Sequence, residues 1–553
     1  MSYGGIQLTS RRRFYTALTT TMLVIGLSGC SSKFRGSSEI TITPGTSPEP
    51  VITEAIKKDP ITLTEIEVVV DESYQNFFNE DPYSQLTKYI VKVYSPDKDL
   101  YNYLYQAVVN HEDSADITSF ALEERVIMDT ASTLYEQAGL QFPYLYRVQW
   151  SNDYKTINFS YRHDSVEEIR AYQDSFYSNM NHLLYNVAPE NYTPYQRFFA
   201  VYDYITKHAD YTDDMNDETT LSGGSLMVNG KAICGGFSGI ANYVLNFVGV
   251  PSEYISNEPH AWNIVTLDGN RYHADFTWGA GSSYNSQNYL NTALMNDRAR
   301  MEGLNQMGFS EYPIIVGYPG EDVVTPLPCE DNRYEFLNLI YENYALDIDE
   351  DWIYYGDFEG IHRIHLNGTS KETITSEYGY LLSVYNGKLY YKGEDGCLYE
   401  YKSGSTPTLL SNLDKEWIRI EEGILMYGSG TEDPEAFIMN LNEFTLDSFD
   451  TRSSKVLKPY QLSKQETFRI ELCFSDQMYT ETLPKESIGL INRKGEIIPI
   501  HMNWNEAGDA LILRAKDYIN QESVVTLYVA AGIKDSTGQI TQDSYTLDIE
   551  FME

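Results

Sequence analysis

The spacing of apolar residues changes from a helical to a strand period along the chain. Apolar positions three and four residues apart predict helices at 121–139 and 165–187, and alternation predicts a strand at 156–161. Beyond residue 345, short apolar runs are bounded by Gly, Asn and Asp turns, a pattern typical of strands. We therefore expect a multidomain α+β protein whose second half is all β.

Three strand–turn–strand units recur in that second half. Their first strands begin at Trp352, Lys388 and Ile424, 36 residues apart each time, and a glycine-rich turn and a second strand follow each one. The units resemble the Tyr-rich, propeller-like repeats of bacterial surface proteins, so we expect β-hairpin repeats over 345–450. Because closed propellers use about four to eight blades, three hairpins favour an open meander packed on a neighbour.

The segment 455–553 predicts a β-sandwich. Short strands alternate there with turns at 492–495, 505–509 and 535–538. The strand pattern at 468–475 resembles that of bacterial Ig-like modules. We expect an Ig-like β-sandwich that spaces or binds rather than catalyses.

The first thirty residues have the order of an export signal. Three arginines at 11–13 precede an apolar run at 18–27, and a Leu-Ser-Gly-Cys sequence ends at Cys30. This sequence resembles the lipobox of bacterial lipoproteins, which implies cleavage before Cys30 and acylation of its thiol. We expect a lipoprotein signal peptide at 1–30, a flexible linker at 31–60, and a protein anchored by lipid to the extracytoplasmic face of the cell membrane. The arginines also resemble a twin-arginine signal, so both export routes stay open.

The amino-acid composition limits the classes of partner and of site that the protein can have. The 553 residues include 40 basic and 80 acidic ones, a net charge of −40, and such a surface repels phosphate backbones, which excludes nucleic acid. No segment approaches the roughly 20 apolar residues of a transmembrane helix. The five cysteines show no CxxC spacing, which argues against a zinc knuckle or a disulfide framework. They are Cys30, Cys234, Cys329, Cys397 and Cys473.

Candidate chemistry concentrates around Cys234. The sequence Gly-Lys-Ala-Ile-Cys-Gly-Gly-Phe at 230–237 leads into apolar residues spaced three and four apart up to Val248, which predicts a helix that begins at Cys234. Unpaired N–H groups and the positive end of the helix dipole stabilise a thiolate at that position. Cys234 is therefore a candidate nucleophile.

A predicted hairpin supplies a histidine and an aspartate. Segments 260–267 and 270–276 have strand patterns joined by an Asp-Gly turn. With a two-residue turn, His260 and Asp275 lie diagonally on one face, about 7 to 8 Å apart at the backbone. Asp275 could then orient the imidazole of His260, which in turn could polarise the thiol of Cys234. A three-residue loop would place the two on opposite faces.

This combination resembles the transglutaminase-like superfamily, a papain-like fold with a helix-borne cysteine followed by a strand-borne histidine and aspartate. The resemblance is strongest over 193–278. It implies that Cys234 is the nucleophile, His260 the base and later the acid, and Asp275 the residue that orients His260. It also implies an oxyanion hole formed partly by the Cys234 backbone N–H. We expect this domain at 191–325.

The region at 61–190 is predicted to be α+β and is similar to the N-terminal part of exported bacterial members of that superfamily. The resemblance implies acyl chemistry on a peptide or protein amide through a thioester, with no cofactor or metal and with cell-wall peptide as one candidate substrate. Water would resolve the thioester in a peptidase or deamidase, and an amine would resolve it in a cross-linking acyltransferase. The sequence leaves both outcomes open.

Two alternatives also remain open. His273 shares strand parity with Asp275 and His260, so these three and Cys234 could form a zinc site. The second alternative is a non-catalytic surface adhesin or scaffold that retains the fold without the activity.

Overall fold

The structure is a computed structural model that covers most of the chain beyond residue 60. It describes residues 61–72, 74, 96–141, 144–162, 165–212, 223–257, 260–280, 290–306, 328–340, 343–421, 423–430, 433–446, 449–464, 466–480, 482–516, 519 and 522–552. The predicted signal peptide, the predicted lipidation site at Cys30 and the predicted linker lie outside the described residues. None of the helices within these ranges is long and apolar enough to cross a membrane.

The first helices pack with a small antiparallel sheet whose central strand, Thr156–Tyr161, pairs with Ser114–Asp116 on one side and Leu145–Trp150 on the other. Helix α1 begins after Asp97 because that side chain accepts a hydrogen bond from the Leu100 N–H at 2.8 Å. The apolar faces of helices and sheet form one shared core. The elements are α1 (Lys98–Val109), β2 (Ser114–Asp116), α2 (Glu124–Gln141), β3 (Leu145–Trp150), β4 (Thr156–Tyr161) and α3 (Val166–Asn181).

A central domain follows, after a π-helical turn at His182–Val187. Its antiparallel sheet has the order β7-β8-β9, and the buried stripe of helix α6 belongs to the same core as this sheet. The predicted helix at Cys234 is confirmed, since α6 begins at that residue. The elements are α4 (Pro194–His208), β5 (Asp210–Tyr211), α5 (Gly223–Asn229), β6 (Lys231–Ala232), α6 (Cys234–Phe247), β7 (Ser252–Asn257), β8 (His260–Leu267), β9 (Asn270–Ala274), α7 (Phe276–Gly279) and α8 (Asp297–Gln306).

The β8–β9 hairpin has the predicted two-residue turn. Leu267 pairs with Asn270. Asp268 and Gly269 have φ angles of +48° and +77°, which is the conformation that this kind of tight turn requires. The second strand ends at Ala274 rather than at the predicted residue 276. It ends there because Asp275 caps the short helix α7 instead of continuing the ladder.

Three antiparallel sheets follow the central domain, with orders β10-β11-β12-β13, β14-β15-β16-β17 and β18-β19-β20. The strands that begin at Trp352, Lys388 and Ile424 each pair with the strand that follows, and flanking strands extend every hairpin into a larger sheet. The strands are β10 (Tyr344–Asp347), β11 (Trp352–Asp357), β12 (Gly360–His365), β13 (Glu372–Thr375), β14 (Gly379–Tyr385), β15 (Lys388–Gly393), β16 (Leu398–Lys402), β17 (Thr408–Ser411), β18 (Trp417–Glu421), β19 (Ile424–Gly428) and β20 (Phe437–Asn440).

The C-terminal region consists of two sheets around one apolar core. One sheet has the order β1-β23-β27-β26. The other has the order β21-β29-β28-β24-β25, with β22 also paired to β29. The strands are β1 (Leu63–Val70), β21 (Lys455–Val456), β22 (Tyr460–Ser463), β23 (Phe468–Phe474), β24 (Ile488–Asn492), β25 (Ile497–Ile498), β26 (Ile500–Trp504), β27 (Ala510–Ala515), β28 (Val524–Val529) and β29 (Tyr545–Met552).

Strand β1 is a component of this region that the sequence pattern did not reveal. It pairs antiparallel with β23, from Leu63 opposite Phe474 to Val70 opposite Phe468. The start of the segment 61–190 therefore packs in the C-terminal sheets and not with the helices that follow it.

Candidate active site

The structure brings the three predicted site residues together. Cys234 is the first residue of α6, His260 is the first residue of β8, and Asp275 lies between β9 and α7. Nε2 of His260 is 2.8 Å from Oδ2 of Asp275. The imidazole also forms a hydrogen bond with the Cys234 thiol, and because Nε2 is engaged by Asp275, Nδ1 is the nitrogen left for the sulfur. We call these residues the first trio.

Opposing influences act on the Cys234 thiol. Burial alone would raise its pKa, but the hydrogen bond and positive charge of His260 and the backbone N–H groups of Ala261 and Gly235 hold it below its ordinary value. The position at the start of a helix acts in the same direction, because the first N–H groups and the dipole favour a negative charge. The Cys234 thiol is therefore more acidic than an ordinary cysteine and forms more readily the thiolate that a nucleophile requires.

The other two members of the first trio favour the charged forms that complement this thiolate. Burial disfavours the imidazolium, yet the adjacent Asp275 carboxylate and the Cys234 sulfur raise the pKa of His260 to about 9. Asp275 is fully buried, and burial alone would raise its pKa, but His260 and Arg300 keep it below the ordinary value. The side chain of His260 is 10% exposed and that of Asp275 is 0% exposed, so the carboxylate lies behind the imidazole, out of contact with solvent. Cys234 is partly exposed.

Arg300 is a member of this site that the sequence analysis missed. Its Nη1 donates a hydrogen bond to Oδ2 of Asp275 at 2.7 Å. Its side chain is 2% exposed. It lies 25 residues after Asp275 on a separate helix. No spacing rule of the motif reaches that far, and an arginine in a helix is ordinary on the surface of a protein.

Two tryptophans complete the packing around the first trio. The ring of His260 stacks on Trp278, with centroids 5.0 Å apart and planes inclined by 12°, and lies 6.0 Å from the ring of Trp262. The Trp278 backbone N–H donates to Oδ1 of Asp275 at 2.9 Å. Both tryptophans lie within the segment that carries the family resemblance, but their role here is visible only in the structure. They hold the imidazole in one plane between sulfur and carboxylate.

The position of Cys234 also provides a hydrogen-bond donor for a reacting carbonyl. As the first residue of α6, its N–H has no acceptor within the helix. A donor at this point can stabilise the negative oxygen that forms when the sulfur attacks an amide carbon. The predicted oxyanion role of this N–H is therefore compatible with the local backbone.

His273 does not join the first trio, so the alternative zinc site of Cys234, His260, His273 and Asp275 does not form. Nε2 of His273 is instead 2.9 Å from Oδ1 of Asp297, and Nδ1 accepts a hydrogen bond from the Trp262 indole at 3.0 Å. His273 does lie on the predicted face of β9, but Trp262 and Asp297 bind its ring instead of the first trio.

A second group of the same residue types surrounds His273. His273, Asp297 and Cys329, which we call the second trio, offer ligand atoms within 4.8 Å of one another. Because Trp262 donates to Nδ1, the neutral imidazole carries its proton on Nε2, the atom that a metal would have to bind. Burial, followed by the charge of Asp297, raises the pKa of the Cys329 thiol to about 12. These donors are therefore prepared for hydrogen bonding and not for metal ligation.

Comparison with known proteins supports a family assignment for part of the chain. Residues 182–276 match the transglutaminase-like superfamily. This match overlaps the predicted domain of 191–325, but it begins at residue 182 instead of 191 and ends at residue 276 instead of 325. No curated protein matches the sequence.

Three solved structures are similar to part of the chain. A transglutaminase is 16% identical, with a TM-score of 0.18, over 25% of this chain and 46% of its own. A putative cysteine protease from Cytophaga hutchinsonii is 13% identical, with a TM-score of 0.17, over 27% of this chain and 64% of its own. The extracellular domain of a putative one component system from B. thetaiotaomicron is 11% identical, with a TM-score of 0.15, over 55% of this chain and 43% of its own.

The chain thus spans about half of the length of the transglutaminase structure that it matches. Cys234, His260 and Asp275 all lie inside the matched segment, and α7 extends three residues beyond it. The protein contains a transglutaminase-like domain at residues 182–276.

Proposed function

We propose that the transglutaminase-like domain is a cysteine acyltransferase or amide hydrolase that acts on peptide or protein substrates. The observation that carries this proposal is the continuous connection from the Cys234 thiol through the imidazole of His260 to the buried carboxylate of Asp275. A structural cysteine has no need for a partner that favours its thiolate.

The proposed reaction begins with attack of the Cys234 sulfur on an amide carbon. The thiol proton passes to His260, the carbonyl π electrons move to oxygen, and the resulting oxyanion accepts a hydrogen bond from the Cys234 N–H. As the intermediate collapses, the C–N bond breaks with its electron pair on nitrogen, and His260 returns the proton to that nitrogen. A thioester remains on Cys234, and water or an amine then displaces the sulfur.

Mass spectrometry of a defined substrate would test this proposal. Glutamine-containing peptides and soluble wall peptides would be incubated with the full chain, with and without a lysine peptide as acceptor. Cys234→Ala would serve as the inactive control, and Cys397→Ala, at a cysteine in the turn between β15 and β16, as the matched active control. Conversion of glutamine to glutamate would identify a deamidase, two fragments a peptidase, and a peptide joined to the acceptor a cross-linking enzyme.

The result that would overturn the proposal is a Cys234 no more reactive toward iodoacetamide than Cys397 in the native protein. That outcome would favour the scaffold alternative, because a scaffold has no reason to activate one thiol.

We also propose that the protein is a lipoprotein at the extracytoplasmic face of the cell membrane, on the basis of the sequence that ends at Cys30. Growth of the expressing cells with an alkyne-tagged palmitate should label the wild-type protein in the membrane fraction. Cys30→Ser should remove the label and release the protein. A labelled Cys30→Ser variant would contradict this assignment.

A further inference from the structure

Arg300 places a positive charge against the acid of the first trio. The same oxygen of Asp275, Oδ2, is 2.7 Å from Nη1 of Arg300 and 2.8 Å from Nε2 of His260. Arginine and carboxylate are both withdrawn from solvent, at 2% and 0% exposure. One carboxylate oxygen therefore links an imidazole and a guanidinium in a buried site, where solvent screens their charges weakly.

Two indole rings hold the guanidinium in place. Its central carbon is 4.3 Å from the centroid of Trp262 and 4.1 Å from that of Trp278. A planar guanidinium can stack on both rings and still donate in its own plane, whereas the ammonium of lysine cannot combine these contacts. Because His260 stacks on the same two tryptophans, the arginine and the histidine are aligned on the carboxylate by a common support.

The helix that carries Arg300 is itself anchored to the β8–β9 hairpin. Asp297, the first residue of α8, bonds to His273 on β9 through Oδ1 at 2.9 Å. Its Oδ2 accepts a hydrogen bond from the Cys329 N–H at 3.1 Å. The second trio thus fixes the start of α8, one helical turn before Arg300.

The charged and titratable groups that face His260 come from three places. Cys234 approaches from α6, Asp275 from the junction of β9 and α7, and Arg300 from α8. The sulfur and the carboxylate favour the imidazolium, and the guanidinium opposes it. His273, on the adjacent strand β9, is engaged by Trp262 and Asp297 instead.

We propose that Arg300 is a positioning residue for the proposed acyl transfer, acting through Asp275: it shares Oδ2 with His260 and so limits how strongly the carboxylate holds the proton on the imidazolium. This inference rests on the proposed function of the domain. Its consequence is that His260 can take the thiol proton and still give it up to the leaving nitrogen. With the full charge of Asp275 on His260 alone, the imidazolium would be a weaker acid and collapse to the thioester would slow.

Substitutions that separate charge from shape test this role. In the full chain, Arg300→Met removes the charge and keeps much of the length, Arg300→Lys keeps the charge and loses the stacking, and Arg298→Met is the matched control. Arg298 lies on the same helix but pairs at the surface with Glu335, and its side chain is 67% exposed. Folding would be checked by thermal unfolding.

The decisive measurement is the titration midpoint of His260, followed by NMR in ¹³C-histidine-labelled protein and assigned through its loss in His260→Gln. Arg300→Met should raise the midpoint by about one pH unit, a tenfold gain in proton affinity, while Arg300→Lys and Arg298→Met should leave it in place. With an active substrate, Arg300→Met should lower kcat and leave KM unchanged.

An unchanged midpoint in a folded Arg300→Met protein would reduce Arg300 to a packing role and overturn the inference. Should that variant not fold, Arg300→Lys decides, because a raised midpoint there would show that a retained charge does not perform this function. The titration midpoint of His260 can be measured in both variants without turnover. An inactive protein would therefore count against the proposed function and not against the electrostatic role of Arg300.

Discussion

The two trios contain the same residue types, one cysteine, one histidine and one aspartate, yet their thiols have opposite properties. The pKa of Cys234 is held below its ordinary value although burial opposes this shift, whereas burial and Asp297 raise that of Cys329 to about 12. Trp262 contacts both trios, since its ring stacks near His260 and its indole N–H donates to His273. The difference therefore lies in local arrangement and not in composition.

The order of the three groups accounts for much of this difference. In the first trio the imidazole stands between the sulfur and the carboxylate, so a positive charge can form next to the thiolate. In the second trio the carboxylate stands in the middle, with one oxygen bonded to His273 and the other to the Cys329 N–H. A negative charge beside a thiol disfavours its ionisation.

The backbone reinforces this order. Cys234 opens a helix, where free N–H groups favour an anion, and Cys329 lies in an irregular segment. A cysteine, a histidine and an aspartate in proximity therefore do not make a nucleophile by themselves. The histidine must be in the middle and the sulfur at a positive backbone position.

The largest expected effect in this comparison is that of removing each sulfur. Cys234→Ala should abolish rapid labelling by iodoacetamide at pH 6, because the reactive thiolate is gone. Cys329→Ala should leave that labelling at the wild-type rate. Peptide mapping by mass spectrometry would identify the labelled site, and rapid labelling of Cys329 in the native wild type would contradict the comparison.

Removing each imidazole should give the next largest difference. His260→Ala should slow alkylation of Cys234 at pH 6 by about 100-fold, the order expected when a thiol loses the base that ionises it. His273→Ala should have a much smaller effect, since His273 only supports Trp262 and Asp297. A similar loss of the Cys234 alkylation rate in both variants would show that the order of cysteine, histidine and aspartate does not matter.

Neutralising each carboxylate should have an intermediate effect. Asp275→Asn removes the charge that favours the imidazolium, so the pKa of His260 should fall from about 9 and alkylation of Cys234 at neutral pH should slow by about tenfold. Asp297→Asn should leave the rate almost unchanged. Alkylation rates of Cys234 measured from pH 5 to pH 10 would show whether the pH dependence shifts in Asp275→Asn and not in Asp297→Asn.

The smallest expected effect is a difference between His260 and His273 in how each makes the free energy of unfolding depend on pH. The raised pKa of His260 means that its contribution to folding is complete below about pH 6.5 and is lost as the pH rises through about 9. The pKa of His273 is lowered, chiefly by burial, so this residue favours folding above its unfolded pKa and loses that contribution on acidification.

Urea unfolding at several pH values would measure this contrast. His260→Gln should flatten the alkaline decline of the free energy of unfolding, and His273→Gln should flatten the acidic decline. If the free energy of unfolding had the same pH profile in the two variants, the assigned directions of the two pKa shifts would be contradicted.

Much of the candidate site could be predicted from sequence because its parts are local. The glycine-flanked Cys234 with the apolar stripe behind it indicated a helix start, and the Asp-Gly turn set the register of the hairpin that carries His260 and Asp275. Spacing alone could not show that Asp275 leaves the strand to cap α7, because Asp is compatible with either position.

The parts that escaped prediction depend on contacts between distant segments. Arg300 reaches Asp275 from a separate helix, and the strand at Leu63–Val70 completes a sheet formed otherwise by residues beyond 467. Neither contact leaves a periodic signal in the sequence, because the partners are chosen by tertiary packing. The Ig-like identity of the C-terminal sheets, the domain boundaries and the catalytic roles remain predictions.

The pairing of β1 with β23 has a practical consequence for handling the protein. A protease that cuts once between residues 72 and 467 would leave two fragments joined by a seven-residue ladder and by the bonds of Asp71 to Arg514 and Arg469. Such a nicked molecule should migrate as one species until it is denatured. A chain truncated at residue 455 would instead lack β23 and leave β1 as an unpaired strand edge, which promotes aggregation.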